Sequence, residues 1–357
     1  MSEFIFMRTL YCTFVVALYY GSISLLSQFF TSCIPFGLIF VLSILGLIYY
    51  YRVPPPNEKD VEAVLGKDLP NVTLPKTEYV VTQVAHRGAG LDVPEHTAEA
   101  YKYCKEKGCN FIEFDVSLTA DGIPVVFHDK STERVSNRIL EISKTKYKDL
   151  KDVNISEKHP HRDRFQPSGI QTLEETVAQL LANGQRMFID VKNRDGRLVN
   201  IILDLYKRHP ELYTKAIVTS FFASMIYQIR RRNPRIIGAI AWCPHVFYYA
   251  FTESSSNSSW LKKNILHMLD TIYEWLLPRF TYFLIGLSVI LLHRYSISIK
   301  SIWDWRKKRG VRVMAWTVNN PAEKKYCTEV LKIPYLTDTF DDQDSSQLDK
   351  QMTYFES

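Results

Sequence analysis

Between residues 80 and 345, short apolar runs alternate with stretches of helical periodicity, and this alternation limits the fold more than any other feature. Runs that read as strands lie at 82–86, 111–116, 124–128, 187–191, 216–221, 236–242, 311–317 and 335–338. Helix-like stretches separate most of them: Thr97–Lys107, Thr172–Ala182, Arg197–Arg208 and Ala223–Arg231. Strands alternating with helices make a parallel sheet, and about eight of them predict closure, an α/β chain folded as a (β/α)8 barrel. The connection between the second and third runs is short for a crossover.

Polar residues interrupt these runs at equivalent places. Val84-Ala85 leads into His86-Arg87-Gly88, a strand ending in a basic, glycine-relieved turn. Glu113 and Asp115 are two apart on an apolar run, so on a strand they share a face, about 7 Å apart along the backbone. A third carboxylate, Asp190, shares a face with Lys192 in Met187–Lys192, and Val125-Val126-Phe127 ends on His128. Three hard oxygen ligands suit one divalent cation, Mg2+ or Ca2+. Two histidines beside it suit proton transfer to and from oxygen. Arg87 and Lys192 can hold a phosphate, the first bidentately and the second as a point charge. Singly, each residue reads as well as a salt bridge or a satisfied core group, and Asp190 with Lys192 reads as a simple ion pair. Together they suit metal-assisted attack on a phosphodiester.

In this order the residues resemble a known family. His86-Arg87-Gly88, Pro94-Glu95-His96-Thr97, Glu113-Phe114-Asp115 and His128-Asp129 look like the signature of the glycerophosphodiester phosphodiesterases. The match continues through Phe188–Lys192, Thr219-Ser220-Phe221, Ala315–Asn319 and Leu336–Thr339, and so covers essentially all of residues 80–345. The apolar N-terminus and the Asp190-Val191-Lys192 form of the third-ligand motif look most like the animal membrane-bound type that hydrolyses glycerophosphoinositol. The resemblance implies a TIM-type barrel, His86 and His128 as the acid/base pair, and Glu113, Asp115 and Asp190 as metal ligands. Arg87 and Lys192 stay the candidates for the substrate phosphate, with Glu95 and Trp316 as candidates for the substrate pocket. Three departures stand out: His96 where the family often has Asn, Asp190 where many relatives carry Glu, and Ala89 in place of a second glycine.

Outside the barrel, the run from Thr9 to Tyr51 carries no charge over 43 positions. A span needs about 20 residues, so residues 1–52 are expected to form a membrane anchor, a helical hairpin turning near Ser27–Pro35. A cleaved signal peptide fits less well, because the run is too long. Val53-Pro54-Pro55-Pro56 opens an expected linker at 53–79. Residues 129–171 read as a long polar loop on the catalytic face and 346–357 as a tail. Residues 244–295 form an apolar insertion, in which Ile265, Leu269, Ile272 and Leu276 share a helical face. Its Thr281–Leu292 stretch is short for a span and reads either as an interfacial or re-entrant segment or as part of an enlarged barrel wall.

The net charge of +6 is mild, compatible with anionic lipid surfaces, and predicts no nucleic-acid partner. Cys104 and Cys109 read as thiols or as a local disulfide. Sequons at Asn71, Asn154 and Asn257 favour a lumenal or extracellular catalytic domain of an integral protein of the endomembrane system or plasma membrane. Arg52 and Lys59 pull the other way under the positive-inside rule. Three functions follow: hydrolysis of glycerophosphodiesters to glycerol 3-phosphate and an alcohol, lysophospholipase-D-type cleavage of lipid-tailed substrates such as glycerophospho-N-acylethanolamines, and a non-catalytic membrane scaffold.

Overall fold

The computed structural model describes residues 2–71, 79–252 and 259–341. Two units separate at Arg52–Val53. The first is helix α1 (Ser2–Tyr51), and its segment Thr13–Tyr51 is long and apolar enough to cross a membrane by length and composition. The expected hairpin turn near Ser27–Pro35 is absent from this helix. Its polar groups do not start a turn, because the Ser22 and Thr31 hydroxyls donate back to the carbonyls of Leu18 and Ser27.

The second unit is a closed barrel. Strands β1 (Gln83–Ala85), β2 (Phe111–Leu118), β3 (Pro124–Val126), β4 (Arg186–Val191), β5 (Ala216–Ser220), β6 (Gly238–Trp242), β7 (Val289–His293), β8 (Arg312–Trp316) and β9 (Tyr335–Thr337) form one sheet. All but β3 pair in parallel, and β1 closes the ring by pairing with both β2 and β9. The run at 124–128 is therefore not a barrel strand. Asp121-Gly122 turns the chain back, with Gly122 at φ 78, and β3 pairs antiparallel with the end of β2.

The missing eighth barrel strand is β7, which corrects the membrane-seeking reading of Thr281–Leu292. Gly286 sits at φ 61, ends the short helix Tyr282–Ile285, and lets Val289–Leu292 enter the wall fully buried. Buried Arg230 fixes this corner by donating to the carbonyls of Ile285, Gly286, Ile236 and Pro54.

Part of the expected linker is structured as well. Helix α2 (Glu58–Leu65), capped by Asn57, buries Val61, Val64 and Leu65 against Phe111, Phe188, Ile217, Val289 and Met314 inside the barrel. It closes the end opposite His86 and His128, and Arg312 ties it down through Gly66 and Glu58. Outward residues of the same strands, such as Ile112, Phe114, Met187 and Ile189, pack beneath the surrounding helices. Those helices include α3 (Ala98–Glu106), α4 (Leu173–Ala182), α5 (Gly196–Arg208) and α6 (Ala223–Arg232). After β6 come α7 (Val246–Thr252) and α8 (Trp260–Leu276), and after β7 comes α9 (Ile299–Trp303).

Residues 129–171 are more than a loop. Val135, Ile142, Leu150, Ile155 and Ile170 make a small core of their own on Val125 and Phe127. Cys104 and Cys109 are buried free thiols, and their Sγ atoms donate to the carbonyls of Gly88 and Phe111. The tail 346–357 and the sequon residue Asn257 lie outside the described residues.

Candidate active site

Alternation along β2 turns Phe111, Glu113 and Asp115 into the barrel. Register completes the cluster: Asp115 pairs with Asp190 on β4, and Asp190 with Thr219 on β5. Glu113, Asp115 and Asp190 are all buried and present carboxylate oxygens within 4.8 Å of one another. Lys192 spans two of them, its Nζ 3.2 Å from Asp115 and 3.3 Å from Asp190.

The turn after β1 supplies the next groups. Arg87 and Ala89 adopt left-handed backbone conformations, and Gly88 between them leaves no room for a Cβ beside Ala100. The turn points the Arg87 N–H at Glu113 Oε2, 2.9 Å away. His96, also left-handed at φ 59, bonds Asp115 Oδ2 through Nε2 at 2.9 Å. Its departure from the usual Asn thus serves a carboxylate of the cluster.

Both histidines line a cavity of about 330 Å³ together with Arg87, Glu113, Asp190 and Lys192. Each imidazole has its own carboxylate. His86 Nδ1 lies 2.5 Å from Asp338, and His128 Nδ1 lies 2.6 Å from Asp129. Asn319 in turn donates to Asp338 at 2.9 Å. With Nδ1–H donated to the carboxylate, each Nε2 remains for chemistry.

The two rings sit in opposite fields. Burial opposes charge on His86, but Asp338 and Glu113 outweigh it and raise its pKa. Burial, with the cations of Arg87 and Lys192, pushes His128 down to about 3. Among the carboxylates, burial and Asp115 push Glu113 up to about 8. Burial likewise raises Asp190, to about 6, against the pull of Lys192. Asp115 is buried too, yet Lys192 holds its pKa well below the usual range.

Trp316 lines the opposite side of the cavity. Its indole donates to the Leu291 carbonyl at 3.0 Å, and Phe221 and His293 meet its ring edge-on. Glu95, expected in the same pocket, does not line it. It lies behind Arg87, 3.5 Å from its guanidinium, and takes both Nη groups of Arg134 at 3.0 and 2.6 Å. Arg134 also holds Asp129 at 2.7 Å. A buried acid between two guanidiniums is a structural partner, and burial notwithstanding, their charge keeps it ionised. Sequence reasoning gave no role to Asp338, Asp129, Arg134, Thr219, Phe221 or Tyr295. Asp338, Asp129, Thr219 and Phe221 stand inside quoted motifs, but their partners cannot be read from spacing.

The acidic cluster fits a divalent cation on its own chemistry. Among the described residues, Asp190 Oδ1 and Thr219 Oγ1 are buried with no hydrogen-bond partner. Such groups cost free energy unless something outside the protein satisfies them.

Comparison with known proteins agrees with this arrangement. Residues 86–342 match the profile of the glycerophosphoryl diester phosphodiesterase family. Glycerophosphodiester phosphodiesterase 1 of Mus musculus is 26% identical over 310 residues, covering 87% of this chain and 89% of the relative. The Homo sapiens protein of the same name is 29% identical over 259 residues, covering 72% and 78%. A phosphodiesterase of Oleispira antarctica, solved with the product sn-glycerol-3-phosphate, superposes with a TM-score of 0.56 at 21% identity, covering 77% of this chain and 97% of that one. The barrel, its ordered motifs and these matches together establish that the chain is an enzyme of the glycerophosphoryl diester phosphodiesterase family.

Proposed function

We propose that this chain is a membrane-attached, metal-dependent hydrolase that cleaves glycerophosphoinositol-like diesters to glycerol 3-phosphate and an alcohol. The observation that carries the reading is a pair of histidines, one held charged by Asp338 and one neutral, lining one cavity beside three clustered carboxylates. Glu113, Asp115 and Asp190 would hold one Mg2+ or Ca2+, both of which take oxygen ligands. When bound, the cation supplies positive charge that polarises the phosphoryl oxygens.

The rest falls to the side chains. Arg87 and Lys192 orient the phosphate and neutralise charge that builds on it in the transition state. His128, neutral and steadied by Asp129, accepts the proton of the nucleophile, either water or the adjacent glycerol hydroxyl, the latter forming a cyclic phosphate that water then opens to glycerol 3-phosphate. His86, charged and held by Asp338, gives its proton to the leaving alkoxide as the phosphorus–oxygen bond breaks. Trp316 and Phe221 form the aromatic side against which the substrate packs. The glycerol 3-phosphate product is the one held by the Oleispira antarctica relative.

Helix α1 would be the membrane anchor, with the barrel on the lumenal or extracellular side.

The test is turnover of glycerophosphoinositol by the purified chain with added Mg2+ or Ca2+, then with a chelator. Turnover abolished by the chelator is expected. Absence of turnover on every glycerophosphodiester, with either cation, would leave the scaffold reading in its place.

A further inference from the structure

A helix on a barrel wall normally buries one face and turns polar groups to water. Helix α8 does the reverse on its outer side. Its buried side, with Leu266 and Asp270, packs on α7, where Asp270 is spent on the N–H groups of Phe247 and Tyr248, and Leu277 just past its end enters the barrel core. Opposite them, Leu261, Ile265, Met268, Leu269 and Ile272 are exposed, with Met268 at 55%. Trp260 and Trp275 stand near the two ends of this stripe, 78% and 52% exposed.

The next βα unit exposes apolar side chains as well. Ile299 and Trp303 on α9 are 70% and 52% exposed. Tyr295, four residues before Ile299 in the chain, is 76% exposed and itself part of the cavity lining. Monomeric soluble proteins rarely leave contiguous apolar patches above a few hundred Å².

We infer that the outer face of α8, together with the exposed Ile299 and Trp303, docks on a lipid bilayer and brings the Tyr295 lip of the active site to its surface. Three observations favour lipid over protein as the occupant. Basic residues border the stripe, Lys262 and Lys263 at one end, Arg279 at the other and Lys307 beside α9, while Glu274 is the exposed acid on α8. Lys and Arg around an apolar face with Trp near its ends is the composition of an interfacial helix beside anionic headgroups. Lastly, Val53, the first residue of the barrel unit, donates its N–H to the Leu284 carbonyl in the segment that leads from α8 to β7.

The inference rests on the proposed hydrolase reading and deepens it. A lipid-tailed glycerophosphodiester could present its headgroup to the cavity with its tail still in the bilayer. Water-soluble substrates gain nothing from docking.

The experiment uses the full chain in phosphatidylcholine–phosphatidylserine vesicles. A fluorescent probe on Ile272→Cys should be quenched by bromine-labelled lipid, independently of any activity. Met268→Glu with Ile272→Glu should lower hydrolysis of a glycerophospho-N-acylethanolamine about tenfold through lost effective concentration. Hydrolysis of glycerophosphoinositol by the same variant should stay at the parent rate. An unquenched probe overturns the inference. So do equal losses on both substrates, or a patch whose charging only converts a dimer to a monomer. If the parent chain hydrolyses neither substrate, the hydrolase reading fails, while the quenching result still decides the docking.

Discussion

Asp338→Asn removes one charge at nearly constant shape and isolates what the carboxylate does for His86. Burial alone disfavours the imidazolium, and Asp338, 2.5 Å from Nδ1, is the leading group that reverses this. Each pH unit by which the His86 pKa falls below the assay pH lowers its charged fraction about tenfold. Losing a general acid altogether costs about 10²–10⁴-fold, so the variant should lose on the order of 10²-fold and never more than His86→Ala. The sign is fixed. Activity falls at high pH as the acid loses its proton, so the alkaline limb of kcat should move to lower pH. KM should change less than kcat, because the Asp338 carboxylate is engaged by the His86 ring and by Asn319. The assay is kcat against pH on glycerophosphoinositol, with thermal melting as a control for folding. A uniform loss with an unmoved alkaline limb would show that Asp338 packs the barrel end and does not set the charge of His86.

Asp190→Asn should weaken divalent-cation binding measured by calorimetry while leaving the melting temperature close to that of the parent; an unchanged affinity would make Asp190 only the partner of Lys192. Glu113 at about 8 and Asp190 at about 6 bind protons more tightly than their ordinary 4.5 and 3.8. A cation must displace those protons, so its stabilising effect should grow as pH rises from about 5 to 8; a flat dependence in thermal shift would refute the carboxylate assignment. Arg134→Met leaves Glu95 with Arg87 alone and should cost about 3–5 kcal/mol in urea unfolding, whereas a loss under about 1 kcal/mol would mean that Arg87 suffices.

What could be read in advance follows the range of the physics. Glu113 and Asp115 share a face because strand alternation is local, and Asp190 joins them because parallel register brings β4 beside β2. The family resemblance is borne out over residues 86–342. The eighth barrel strand was hidden because Thr281–Leu292 is apolar throughout, and the boundary rests on Gly286 alone. The Val289-Ile290 pair just beyond it was the available signal of a strand. The run at 124–128 has the composition of a strand and is one, but Asp121-Gly122 makes it a hairpin arm. Glu95 stands beside signature residues, yet its role depends on Arg134, 39 positions away. Asp338 is 252 positions from His86, and no spacing connects them. The outward apolar face of α8 was legible only as a helical stripe, since periodicity does not tell which side meets the barrel.

The most direct measurement of the central claim compares His86→Ala and His128→Ala on two substrates that differ in leaving group. Glycerophosphoinositol leaves as a basic alkoxide that needs a proton; a nitrophenyl ester of glycerol 3-phosphate leaves as a stable phenolate that does not. Both variants should be slowed about 10²–10⁴-fold on the first substrate. On the second, His86→Ala should recover most of its rate, while His128→Ala should remain slow. Equal defects of both variants on both substrates would contradict the division of acid and base between the two histidines.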